Sequence, residues 1–429
     1  MLDKDAAKKI LPQIDGEELA QLACDLVNIP SATGQEVAVA EFILDWYRSN
    51  GFKAIRQEVE IGRPNAVGIL KGEGNGLSLM FNGHMDTSFT GTKEDLHIVA
   101  EVEPDSELRG SIRDGKVRGL GSSNMKGGLA AFMMAGKAIK KSGLKLKGDL
   151  ILAAVVGETS RTPFGPFQTK EYRGEGVGTR HLLTYGIQSD YAVVADGSHM
   201  NIIWTQPGVV QMKITTFGTG QAAWWTSRST HPPVQSSAII KMTKVIEAIE
   251  KWGNTFEEKY VYKSPTGPIS PKVNIGGIEG GAAYKPNYFP GICNIYVDVR
   301  IPPHVRPVTV QNQIERTLSG LGLAYDLEVY KSLMGYEGKG VEPLVKSIEE
   351  AYEHLFSAKV QPEAPGRANI WTDTNIYNEM GIPAVKIGPA GKKIGPRAEE
   401  IEIDQMIRAA RLYALVALDI CNRERPGGA

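Results

Sequence analysis

"SLMFNGHMDT", residues 78–87, is an apolar run that stops on Gly83, His84, a spacer and Asp86. So short an apolar segment, ending in polar residues, is predicted to be a buried strand that delivers a histidine and a carboxylate at its C-terminal end. Two later stretches repeat the device: "DLILAAVVGE" (149–158) ends on Glu158, and "YAVVAD" (191–196) ends on Asp196. Between residue 87 and the first of these, "MKGGLAAFMMAGKAIKKSG" (125–143) has helical character. Upstream, "DGEELAQLACDLVNIPSATGQEVAVAEFILDWYRSNGF" (15–52) suggests two amphipathic helices broken at Pro30-Ser31. Strands alternating with helices predict an α/β fold with a mostly parallel sheet and helices on both faces. The C-terminal rim of such a sheet is where ligands collect, so three strands would bring metal-type side chains to one edge.

After about residue 204 the pattern changes. "VVQMKITTFG" alternates, "SSAIIKMTKVIEAIEKW" is helical, "PKVNIGGIEGG" and "GICNIYVDVRIPP" are strands, and "PVTVQNQIERTLSGL" is a second helix. This order predicts an inserted α+β, ferredoxin-like module over residues 205–330, with 1–204 and 331–429 forming the sheet domain. Two domains suit a chain of 429 residues. The 48 basic and 49 acidic residues give a formal charge of -1, so nothing attracts nucleic acid or an anionic membrane, and a small molecule is the expected partner. Cys24, Cys293 and Cys421 lie far apart in no metal-binding or disulfide spacing, which fits a reducing cytoplasm. The N-terminus shows no apolar export segment, and no run of eighteen apolar residues occurs.

Taken singly, His84, Glu158 and Asp196 each have a plainer reading, as a hydrogen-bonded strand-end residue or an ordinary turn. Together, "NGHMDT", "GLGSSNMKGGLAA", "AAVVGET", "YAVVADGS", "VNIGGIEGG", "DVRIPP" and "WTDTNIYNEMGIPAVKIGPAG" follow one another in the order seen in the M20 metallohydrolases. The chain resembles that family over nearly its whole length. The resemblance implies a metal-dependent hydrolase of C–N bonds whose inserted module is a lid and dimerisation domain, hence a homodimer. It also implies that His84 and Asp196 ligate one ion, that Asp86 orients the His84 ring, and that Glu158 is the general base.

Against the family pattern the second ion loses its ligands. The bridging aspartate falls at Asn124, a neutral amide that can ligate one ion but cannot screen two. Where two consecutive glutamates are expected stand Glu158 and Thr159; a one-residue shift would instead put Gly157 at the base and make Glu158 a ligand. The late histidine falls at about Gly395, and residues 355–429 contain no histidine. One divalent ion per chain is therefore expected, held by His84, Asn124 and Asp196. Manganese is favoured by the oxygen-rich set and zinc is the alternative. His199 can complete coordination or be an ordinary loop residue.

The lid departs as well, with Trp225 where the family places an oxyanion-stabilising histidine and His231 nearby. Losing such a donor removes roughly 3 kcal/mol of transition-state stabilisation. Trp224 and Trp225 offer flat surfaces for a flat substrate. Asn287 and Arg300 match positions that grip a substrate carboxylate, and Arg161 can add a second charge. The resemblance with these losses points to hydrolytic deamination of a small aromatic carboxylate, as in the family's 5-nitroanthranilate aminohydrolases. Deacylation or dipeptide hydrolysis is the alternative reaction, and a non-catalytic binding protein the alternative class.

Overall fold

The computed structural model describes residues 3–99, 104–159, 173–230, 232–362 and 369–425. Leu79–His84 is a strand buried at every position, as is Leu150–Val155 beside it. The two run parallel with His84 opposite Val155. Tyr191–Val194 lies parallel on the other side, with Asn82 opposite Val194, and Ala384–Lys386 continues the parallel set with Lys386 also level with Val194. Beyond Leu150–Val155, Arg63–Leu70 and Lys53–Glu60 add an antiparallel pair, completing six strands. The register brings the ends of three parallel strands to one rim, so the residues that follow them are neighbours.

Alternation within Leu79–His84 shows why the strand is apolar on both faces. Phe81 meets Phe132 and Tyr413, centroids 6.3 and 4.9 Å away, on the helices Gly127–Lys141 and Ile403–Cys421. The neighbouring positions face the other way: Met80 Sδ accepts from Tyr377 Oη at 3.0 Å, and Asn82 donates to Thr179 Oγ1 at 2.9 Å. Truncating a ring as buried as Phe81 to alanine costs ~3–5 kcal/mol. The helix that begins at Gly127 fits closely because Gly128 has no side chain. A Cβ there would stand 2.1 Å from the carbonyl oxygen of Ala195, so this glycine lets the helix seat against the chain that leads into Asp196.

The chain divides between Trp204 and Thr205 and again between Glu337 and Gly338, and of the later described residues 369–371 also belong to the second unit. The later boundary lies beyond residue 330 for two reasons. The strand Tyr325–Leu333 keeps pairing with Gly208–Phe217 up to Leu333 opposite Val209, and Tyr336–Glu337 pairs back onto Thr205–Gln206. The second unit is a four-stranded antiparallel sheet ordered Lys272–Gly280, Ile292–Ile301, Gly208–Phe217, Tyr325–Leu333. Two helices, Ala238–Lys259 and Pro307–Ser319, cover it. One face is apolar: Met212, Ile214, Val297 and Val299 pack with Met242, Ile249, Val310 and Ile314 in a core of their own. The element order is β-α-β-β-α-β, a ferredoxin-like arrangement.

Candidate active site

The strand that ends at Val155 must turn sharply to present Glu158. Gly157 makes the turn at φ +62°, where a Cβ would also stand 2.6 Å from Arg173 O. The turn is fastened by Asp86. Its carboxylate accepts from the backbone N–H of Glu158 (3.1 Å) and Thr159 (3.0 Å) and from the hydroxyls of Thr159 (2.6 Å) and Thr33 (2.9 Å). Four donors on one buried carboxylate make a rigid joint between the two strand ends. Thr159 thus faces Asp86 and Thr33, so position 159 is committed to the scaffold.

His84 is held differently from expectation. Its Nδ1 lies 2.9 Å from the carbonyl oxygen of Asp86 and 3.5 Å from that residue's Oδ1. The carbonyl orients the ring, because the carboxylate is already occupied. Nε2 faces Asn124 Oδ1 at 2.9 Å and Glu158 Oε2 at 3.6 Å. Asn124 in turn is fixed through its main chain: the N–H groups of Ser123 and Asn124 both donate to Glu399 Oε2 at 3.0 Å.

Charge is concentrated here. Burial raises the Glu158 carboxyl to about 8, with Asp373, Asp196 and Asp86 adding to the rise and His84 opposing it. For His84, burial works against the imidazolium, but Glu158, Asp86, Asp196 and Asp373 outweigh it and raise the ring to about 9. Asp196 ends its strand on the same rim, yet its Oδ2 is 3.2 Å from the ammonium of Lys386, and its Oδ1 accepts from Gly197 N at 2.7 Å. Lys386 is buried at 1 % exposure in the all-buried strand Ala384–Lys386.

Among the described residues no group of three or more His, Cys, Asp or Glu converges to hold a metal ion. The amide of Asn124 changes the count. Asn124 Oδ1 lies 2.9 Å from His84 Nε2, the spacing neighbouring ligands of one ion adopt, and Glu158 Oε2 stands 3.6 Å from the same nitrogen. One nitrogen, one amide oxygen and carboxylate oxygen fit a single hard or borderline cation with water filling its shell.

His199 follows in a left-handed turn, φ +52°, with an exposed side chain. In the second unit Arg300 donates to both oxygens of Asp298, at 2.7 and 3.2 Å, so its fork is already filled. Trp225 is 81 % exposed on the turn Ala223–Trp225, Trp224 stands edge-on to Tyr288 at 5.5 Å, and Asn287 accepts from Ala223 N through its carbonyl at 2.9 Å. Arg161 and His231 lie outside the described residues.

Three buried charges escaped the sequence reading. Asp373 accepts from Thr179 Oγ1 at 2.6 Å, has no hydrogen-bond partner on Oδ1 among the described residues, and is raised to about 7, chiefly by burial. Its signal was an aspartate between two threonines in "WTDTNIY". Lys386 announced itself as a lysine inside the apolar run "AVKIG". Glu399 had no signal, because its partners are main-chain groups distant in sequence. Lys126 of "MKGG" turns elsewhere: its ammonium donates to Leu26 O and Ile29 O, both at 2.8 Å, and burial lowers it to about 7.

Comparison with known proteins agrees with this architecture. The chain is 26 % identical to N-formyl-4-amino-5-aminomethyl-2-methylpyrimidine deformylase of Bacillus subtilis, covering 95 % of this chain and 96 % of that one. In structure it is similar to human carnosine dipeptidase 1 (TM-score 0.72, 15 % identity, 97 % of this chain and 98 % of that one). It also resembles a dinuclear metal-binding M20 peptidase of Bacillus subtilis (TM-score 0.62, 14 % identity, 97 % and 100 %). Residues 80–419 match the profile of Peptidase family M20/M25/M40. With three strand ends converging on His84, Glu158 and Asp196 and an inserted ferredoxin-like unit, the chain belongs to Peptidase family M20/M25/M40 and is a hydrolase of that family.

Proposed function

We propose that this chain hydrolyses a C–N bond in a small aromatic carboxylate with a single divalent ion, and that the reaction is hydrolytic deamination. The observation that carries the reading is the use made of position 159: its hydroxyl and N–H are spent on Asp86, leaving the donors around His84 suited to one cation. His84, Asn124 and Asp196 would hold that ion. Manganese suits the oxygen-rich set best, with zinc as the alternative. When bound, the ion supplies positive charge that acidifies water and offsets charge developing on the substrate.

Glu158 does the proton work. One of its carboxylate oxygens takes the proton of the attacking water as the new C–O bond forms at the ring carbon bearing nitrogen. The electron pair displaced by attack moves into the ring. It returns as the C–N bond breaks, and Glu158 hands its proton to the leaving nitrogen, so that an aromatic amine and water become a phenol and ammonia. Burial and three nearby aspartates raise Glu158, which strengthens it as the acceptor of the water proton and keeps that proton on it until the nitrogen leaves. Asp86 keeps Glu158 aimed by gripping its N–H. Because charge spreads into a ring, a missing oxyanion donor matters less than it would to a peptidase.

A second reading is deacylation. It is supported by the likeness to the pyrimidine deformylase, whose named substrate is an N-formyl derivative of an amino- and aminomethyl-substituted pyrimidine. Screening aromatic aminocarboxylates against N-formyl aromatic amines, with manganese and zinc each supplied, separates the two. In either reaction Glu158→Gln should lower kcat by about 10²- to 10⁴-fold while metal content stays the same. Undiminished turnover in that variant places the base elsewhere.

The same reading includes a homodimer through the second unit, whose sheet edge Lys272–Gly280 has no further strand beside it among the described residues and carries Ile278 at 59 % exposure. A reducing compartment such as the cytoplasm is supported by Cys24, Cys293 and Cys421, all buried free thiols. No helix of the described residues is long and apolar enough to cross a membrane.

A further inference from the structure

Next to Asn124 a cavity of about 180 Å³ opens among Thr87, Phe89, Leu120, Asn124, Glu399 and Lys393. It sits against the hairpin in which Lys392–Lys393 pairs with Glu399–Glu402 and whose tip carries Gly395 in place of the histidine expected from the family pattern. The cavity therefore lies beside Asn124, on the side of the site that has lost its ion ligands. Its size is that of a single ring, since a cavity of ~150 Å³ accepts benzene. Phe89 supplies an aromatic wall, and the Lys393 ammonium lies 5.7 Å from the centre of that ring.

The charge on Lys393 is available to a guest. Lys392 pairs with Glu400 at 3.3 Å, whereas among the described residues no carboxylate forms an ion pair with Lys393. Glu399, opposite it in the hairpin, is a lining residue of the same sign as an anionic guest. Its Oε2 is already taken by the N–H groups of Ser123 and Asn124, and burial raises its pKa, with Lys393 acting in the opposite sense. Meanwhile Arg300, the cation expected to grip a carboxylate, is neutralised by Asp298. We infer that this cavity is the subsite for the ring and carboxylate of the substrate, with Lys393 as the residue that selects the anion. A ring stacked on Phe89 with its carboxylate on Lys393 would lie alongside Asn124, whose Oδ1 is 2.9 Å from His84 Nε2.

The inference rests on the aromatic-carboxylate reading but is tested by binding, not turnover. Fluorescence titration of the full-length, manganese-loaded chain would compare 2-aminobenzoate with neutral 2-aminobenzamide. Wild type should prefer the carboxylate. Lys393→Ala should weaken 2-aminobenzoate about tenfold or more and leave 2-aminobenzamide within about twofold, and Lys393→Arg should retain most of the preference. Equal loss of both probes, no loss of either, or a wild type that binds neither probe or shows no preference overturns the inference. If the chain turns over only neutral N-formyl amines, the deamination reading fails, while the binding comparison still decides the subsite.

Discussion

Lys386 Nζ stands 3.2 Å from Asp196 Oδ2, and both residues are largely withdrawn from solvent. A buried lysine is costly unless paired, and so is the carboxylate it pairs with. The two stabilise each other in the metal-free chain, and a cation arriving at Asp196 must share the carboxylate with an ammonium. Lys386→Met should therefore lower metal-free stability by about 3 kcal/mol in chemical denaturation. It should also tighten manganese binding by about tenfold or more in calorimetry. Unchanged affinity would mean that Asp196 takes no part in holding the ion.

Asp86 is the joint of the site. Replacing it with alanine strands the N–H groups of Glu158 and Thr159 and leaves the Thr33 and Thr159 hydroxyls with each other, 2.6 Å apart. Stability should fall by about 3 kcal/mol or more, and kcat should fall further than folding alone explains, since Glu158 loses its aim. The Glu158→Gln variant, by contrast, should keep its stability. Similar melting curves for wild type and Asp86→Ala would remove the carboxylate from its assigned place.

Metal affinity should depend on pH with a definite sign. Ligation requires His84 without its proton and favours an ionised Glu158, and these groups are raised to about 9 and about 8. Below those values each ion that binds must expel one to two protons, so affinity should climb with pH from about 6 to 8 and level off above about 9. Calorimetry in buffers of different ionisation heat reads the proton release directly. Flat affinity across this range would show that the ion does not bind beside these groups.

Gly128 links helix packing to the site. Gly128→Ala puts a Cβ against Ala195 O, and the strain of overpacking is worth ~1–3 kcal/mol. The displaced carbonyl immediately precedes Asp196, so metal affinity should drop along with the melting temperature. A loss of stability with affinity intact would uncouple the two.

Most of the fold was legible in the sequence because parallel strands buried on both faces are continuous apolar runs and their polar ends stand out, as at His84, Glu158 and Asp196. The ferredoxin-like order was legible through alternation in strands such as Ile292–Ile301. Less visible were interactions that join distant segments through main-chain groups. Glu399 holding the N–H groups of Ser123 and Asn124, and the Asp86 carbonyl holding His84, leave no trace in residue spacing. The pairing of Tyr336–Glu337 with Thr205–Gln206 likewise joins segments more than a hundred residues apart, where no local pattern reports it.

The central claim is a count, and elemental analysis combined with native mass spectrometry on manganese-saturated full-length protein measures it. On the proposed single-ion reading of Asn124, Thr159 and Gly395, one ion per chain is predicted. Two tightly held ions per chain, or none after saturation, would contradict it.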